Sequence, residues 1–68
     1  MLINTNPEKE HEIYNRLVDE SNIVELRPLF QEYDLIAKVK TDSKENLGHF
    51  ISNKIRPIDG VIDTKILQ

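Results

Sequence analysis

Along the chain, apolar residues fall into short groups whose spacing switches between a period of two and a period near 3.6. Leu2-Ile3 opens the chain as a short strand. Asn6-Pro7 then predicts a helix start, since Asn is a good N-cap and the missing N–H of Pro costs nothing at the first helical position. Ile13, Tyr14, Leu17 and Val18 follow at helical spacing, with Glu12 and Arg16 four residues apart in the favourable order. Asp19, Glu20, Ser21 and Asn22 end the helix, with acidic groups that oppose its macrodipole. Residues 23–30 read as a strand, and Pro28, which cannot donate to a ladder, assigns it to a sheet edge.

Gln31-Glu32-Tyr33 makes a tight connection to the clearest strand of the chain, residues 34–40. There Leu35, Ala37 and Val39 point one way and Ile36, Lys38 and Lys40 the other. Asp42 followed by Glu45 fits a capping box and opens a second helix with the stripe Leu47, Phe50, Ile51 and Ile55. Lys54 and Arg56 suit its C-terminal end, and Pro57 stops it. Asp59-Gly60 is a turn, and residues 61–67 form a last strand. The order β-α-β-β-α-β is that of an α+β, ferredoxin-like sandwich. Right-handed crossovers place both helices on one face of a four-stranded antiparallel sheet, with the strands ordered fourth, first, third, second. The other sheet face stays open and carries Ile36.

At 68 residues there is one domain, residues 1–68, and no room for a second. A domain this short buries only about 60% of the surface its unfolded chain exposes. Cysteine is absent, and with two histidines a structural zinc site is not expected. Association through the open, partly apolar sheet face is the support that remains, so a homo-oligomer built on a dimer is expected. The net charge is −3 and the basic residues are scattered, which argues against a nucleic-acid or anionic-membrane surface. No stretch is long and apolar enough to span a bilayer, and a cytoplasmic location follows by default.

Candidate chemistry is sparse. His11 and His49 lie on different helices without a further ligand at metal spacing, and no catalytic triad or Gly-rich phosphate loop is present. The chain is therefore read as a non-enzyme with no cofactor. Gly48 sits inside a helical pattern, where it reads either as close packing against the sheet or as close approach of a ligand or neighbouring subunit. Glu32-Tyr33-Asp34 stands apart, at the turn before the third strand. Asp34 there either fixes the turn by accepting from nearby N–H groups, or holds a ligand's amino group while exposed backbone N–H groups meet a carboxylate.

Glu32-Tyr33-Asp34-Leu35-Ile36-Ala37-Lys38-Val39, followed by Leu47, Ile51, Ile55, Ile58, Gly60-Val61 and Thr64, resembles the C-terminal ligand-binding (RAM) domain of the Lrp/AsnC family of transcription regulators. The resemblance covers nearly the whole chain. It implies the same ferredoxin-like fold, subunits paired through their open sheets, and dimers assembled into octamers or similar rings. It also implies an amino acid or similar effector bound at contacts between dimers. Carried over, the pocket residues are Gln31, Glu32, Tyr33 and Asp34, with Thr64 near the end of the chain. Gln31 stands where the family usually has Gly, and Ile66 stands where a second Thr is common. The family usually carries an N-terminal helix-turn-helix domain, so this chain is expected to be a stand-alone form that does not bind DNA itself and that can join full-length relatives.

Three functions compete. The first is an amino-acid sensor and assembly module. The second is a purely structural oligomerisation domain. The third, by analogy of fold alone, is a small monooxygenase or isomerase using Tyr14 or His49 in a closed apolar pocket.

Overall fold

Alternation decides which way each strand faces. In β1 (Leu2–Thr5) Ile3 and Thr5 are buried, and in β3 (Leu35–Val39) Leu35 and Ala37 are. The computed structural model describes residues 1–67, and Gln68, the last residue of the expected domain, lies outside them. Its sheet runs β2-β3-β1-β4, with β2 at Ile23–Pro28 and β4 at Val61–Lys65. Every pairing is antiparallel, with Ile3 opposite both Leu35 and Thr64. The order is the one expected from the sequence, and it puts Pro28 on an edge strand, opposite Leu35. A further pair of bonds lengthens the β1–β3 contact: the Met1 ammonium donates to the Ala37 carbonyl, and the Ala37 N–H donates to the Met1 carbonyl, each at 2.8 Å. Burial there pushes the Met1 ammonium pKa below its ordinary value.

The two helices, α1 (Glu10–Val18) and α2 (Lys44–Phe50), supply the other half of the core. Ile13 and Leu17 of α1 meet Ile3, Leu35 and Ala37, and Phe50, Ile51, Ile55 and Ile58 complete the cluster. Val18, expected on the inner face of α1, is exposed. It lies about 100° round the helix from Leu17, and the face centred on Ile13 and Leu17 ends before it. Beyond Phe50 the helix widens into a π turn over Ile51–Ile55, closed by Arg56 N–H donating to the Ile51 carbonyl at 2.9 Å. Ile51 and Ile55 are both buried in this turn.

The ends of the elements differ from the sequence reading where side chains compete for backbone donors. Asn6 does not start α1 directly. Its Oδ1 accepts from Glu8 N–H and its carbonyl from Lys9 N–H, so residues 7–9 form a turn before the helix begins at Glu10. The expected capping box of Asp42 and Glu45 gives way to a single side-chain cap one residue on. Ser43 is the N-cap, extended at φ −156°, and its Oγ accepts from Asn46 N–H at 3.1 Å. Strand β2 stops at Pro28 rather than residue 30, and β4 at Lys65 rather than residue 67. The connection after β2 is accordingly a longer loop, residues 29–34, closed by Leu29 N–H donating to the Asp34 carbonyl at 2.7 Å.

The two glycines have opposite surroundings. A Cβ on Gly48 would meet nothing within 4 Å, so close packing inside the chain does not explain it. Gly60 has φ +97°, and a Cβ there would lie 2.5 Å from Lys9 Cβ. Its carbonyl accepts from Asn6 N–H at 2.7 Å, which joins the ends of β1 and the turn into β4. Gly60→Ala is expected to cost about 2 kcal/mol or more, through left-handed strain and the contact with Lys9. Gly48→Ala is expected to add about 0.5–1 kcal/mol. Urea unfolding of both variants checks this, and a neutral Gly60→Ala would contradict it.

Candidate functional site

A polar residue in the buried phase of a strand needs a partner, and Thr5 is such a residue at 3% exposure. Its N–H faces β3, where the backbone ladder runs out: Asp34 N–H donates to the Ile3 carbonyl at 3.0 Å, and the chain then turns away into the loop. The Asp34 side chain takes over. Its Oδ2 accepts from Thr5 N–H at 2.8 Å, with Thr5 Oγ1 at 3.4 Å. Backbone N–H, backbone carbonyl and carboxylate of Asp34 are thus all engaged. The last is a charge-assisted bond, shorter and stronger than a neutral one.

The rest of the loop is open. Gln31 and Glu32 are exposed, Tyr33 is half-buried, and Phe30 stands 93% exposed at the tip. Among the described residues the N–H groups of residues 30–33 have no partner within the chain. No non-glycine residue among those described has a positive φ, so Gln31 fits the loop with ordinary backbone geometry. The loop therefore carries four backbone donors without a partner among the described residues, next in sequence to a carboxylate whose second oxygen accepts no hydrogen bond from those residues.

Gln31, Glu32, Tyr33 and Asp34 lie together in this loop, whereas Thr64 lies on β4, across β1 from it. The Thr64 hydroxyl accepts from Arg56 Nε at 3.2 Å on the helix side of the sheet. No hydrogen bond joins it to the loop. Thr5, which holds Asp34, was not among the residues singled out from the sequence. The signal available for it is the Ile3-x-Thr5 alternation, which places a hydroxyl in a buried phase. His11 and His49 are both exposed. They lie against Asn15 at 3.2 Å and Glu45 at 3.9 Å, within their own helices. Among the described residues no group of three or more His, Cys, Asp or Glu is placed to hold a metal ion, and no helix is long and apolar enough to cross a membrane.

Two concave regions remain. One, of about 540 Å³, opens on the sheet face away from the helices and is lined by Met1, Ile36 and Leu67 with Glu25, Arg27 and Lys38. Glu25 and Arg27 pair along one side of it, two residues apart on β2. The other, of about 450 Å³, lies at the opposite end of the sheet from the Asp34 loop. Neither is lined by Tyr14 or His49.

Asp34→Ala is expected to cost about 1–3 kcal/mol, because it leaves the Thr5 N–H buried without an acceptor. Asp34→Asn keeps an acceptor and should cost less. Thr5→Val keeps the N–H and loses only the long hydroxyl contact, so it should cost least. Chemical denaturation of the three variants gives this order, and equal stabilities for Asp34→Ala and Thr5→Val would contradict it.

The family model for the Lrp/AsnC ligand binding domain matches residues 1–67. The crystal structure of FFRP-DM1 is 36% identical to this chain, with a TM-score of 0.89, over 94% of this chain and 85% of that one. The crystal structure of the hypothetical protein PHS023 from Pyrococcus horikoshii is 35% identical, with a TM-score of 0.86, over 98% of this chain and 86% of that one. Both share the four-stranded sheet with two helices. A search among curated proteins found no match. The fold, the loop before the third strand and the match over residues 1–67 agree: the chain belongs to the Lrp/AsnC ligand-binding domain family.

Proposed function

We propose that this domain is a small-molecule binding and oligomerisation module, related to the Lrp/AsnC transcription regulators, that senses an amino acid and modulates regulation without itself contacting DNA. The observation that carries the reading is the loop before β3. A carboxylate fixed by Thr5 follows backbone N–H groups that have no partner among the described residues, which is the pairing that an α-amino acid's ammonium and carboxylate require. Asp34 takes the ammonium, and residues 31–33 take the carboxylate through their backbone. Thr64 contributes from another copy of the chain, since within one chain it is separated from the loop by β1. The net charge of −3 and scattered basic residues support a role that leaves DNA contact to other domains.

Association follows from the same surfaces. The open face of the sheet carries the half-buried Ile36, and a partner sheet covers it in the dimer. Phe30, almost wholly exposed at the loop tip, finds its cover in contacts between dimers, either of this chain with itself or with full-length relatives. A second reading, a purely structural oligomerisation domain, is favoured by one observation: the Asp34 carboxylate already has a structural task in holding Thr5.

A thermal-shift panel of amino acids separates the two. A ligand at about 100 times its dissociation constant adds about 2.7 kcal/mol, roughly ten degrees or more for so small a domain. The sensor reading expects a selective shift that disappears in Asp34→Asn, each variant being compared with its own ligand-free melting point. No shift with any amino acid would leave the structural reading.

A further inference from the structure

The two edges of the sheet are unequal. β2, at one end, is blunted: Pro28 has no N–H to give, the register shifts between Ile23 and Glu25, and Glu25 and Arg27 are already paired with each other. β4, at the other end, has no strand on its outer side among the described residues, and Val61–Lys65 contains no proline. We infer that this edge is a self-association surface: β4 pairs antiparallel with β4 of a second copy, in the register centred on Thr64, so that two sheets run on as one.

Three observations carry this. The first is the direction of the backbone groups. Ile3 is the partner of Thr64, but the Ile3 carbonyl accepts from Asp34 N–H on the β3 side. Alternation in an antiparallel ladder then turns the N–H and carbonyl of Thr64 away from β1, to the free edge. The Thr64 N–H accordingly finds its acceptor in its own neighbour, Asp63 Oδ1, at 2.9 Å. Thr64 of a second copy, brought opposite, exchanges two N–H···O=C bonds with the first and releases both Asp63 carboxylates.

The second observation is charge. A two-fold axis at Thr64 sets Asp63 of each copy opposite Lys65 of the other. These fall in the non-hydrogen-bonded pairs, whose side chains stand closer. Moving the axis one residue either way would set Asp63 against Asp63 or Lys65 against Lys65, so the charges select the register. The third is apolar exposure. The same register sets Ile62 opposite Ile66, which are 68% and 45% exposed within one chain. Read against its own reverse, Ile62-Asp63-Thr64-Lys65-Ile66 is therefore complementary at every position. The register shift between Asn4 and Thr5 bends β4 beside Ile62 and ends the pairing there.

This contact uses neither the Asp34 loop nor the open sheet face, so it stands or falls alone. A segment this short buries well under the roughly 1,200–2,000 Å² of a standard interface, and the affinity expected is weak, about 0.1–1 mM.

The test is NMR of the intact protein at millimolar concentration, on a mixture of isotope-labelled and unlabelled chains. Ile62 and Ile66 are about 13 Å apart along one extended strand. A methyl NOE between them therefore arises only between copies, and an isotope-filtered NOE of this kind is expected. Sedimentation equilibrium of charge variants reads the same contact independently. Asp63→Lys and Lys65→Asp each place like charges opposite each other and should weaken this association about tenfold. The double variant Asp63→Lys/Lys65→Asp restores opposite charges and should recover it. Both positions are exposed, and an unchanged amide spectrum elsewhere shows that each variant is folded. Intermolecular contacts from Ile62 and Ile66 to β2 instead, the absence of any between Ile62 and Ile66, or no recovery in the double variant would each overturn the inference.

Discussion

One buried amide, the N–H of Thr5, governs how this small domain is closed at one end. β1 is the central strand that both neighbours need, paired with β3 on one side and β4 on the other. At Thr5 neither ladder is regular: the β4 register shifts between Asn4 and Thr5, and β3 has already turned away. The Asp34 carboxylate supplies the acceptor that the backbone cannot. Leaving such a donor unpaired would cost about 1–3 kcal/mol, a large part of the stability of a domain this size. The same bond fixes where β3 begins, and through Leu29 it fixes where the loop from β2 returns. One residue further on, Asn6 N–H bonds the Gly60 carbonyl, and Gly60 packs against Lys9 at the foot of α1. The ends of β1, the starts of β3 and β4 and the approach to α1 thus meet in one corner, and the candidate site is the loop leaving that corner.

Much of the fold was legible because it follows from local pattern. The period-two alternation in residues 34–40 sorts Leu35 and Ala37 from Ile36 and Lys38, and a single Pro at position 28 assigns its strand to an edge. Given six elements in this order, right-handed crossovers leave the observed strand order. What was misread depends on competition between near neighbours. Asn6 spends its oxygens on Glu8 and Lys9 before the helix starts, and Ser43 displaces Asp42 as the cap. Neither choice shows in the residue types alone. The π turn after Phe50 has no signal in the residue types, since Ile51 and Ile55, four apart, would share a face of an ordinary α-helix as well.

The candidate site was legible in part and for a different reason. The turn motif and the closing Gly60-Val61-x-x-Thr64 pointed to the Lrp/AsnC domain, and the match over residues 1–67 shows the family. The physical role of Asp34 was not legible, because its partner Thr5 is 29 residues away and only the folded sheet brings them together. The two readings of Asp34, as turn-former and as ligand group, are not exclusive. One oxygen holds Thr5, and the other accepts no hydrogen bond from the described residues, so the residue that closes the sheet can also present a fixed charge. A fixed charge binds with less loss of side-chain entropy than a mobile one. The loop's unpartnered N–H groups and the exposed Phe30 lie on the same segment.

The most direct test of this account is the hydrogen-exchange rate of the Thr5 amide in the unaltered protein. If Asp34 closes the β1–β3 ladder, that amide exchanges only through global opening, as slowly as the Ala37 amide, which donates to the Met1 carbonyl. If it exchanges as fast as the loop amides of Gln31 and Glu32, the carboxylate does not hold it, and the account of this corner is wrong.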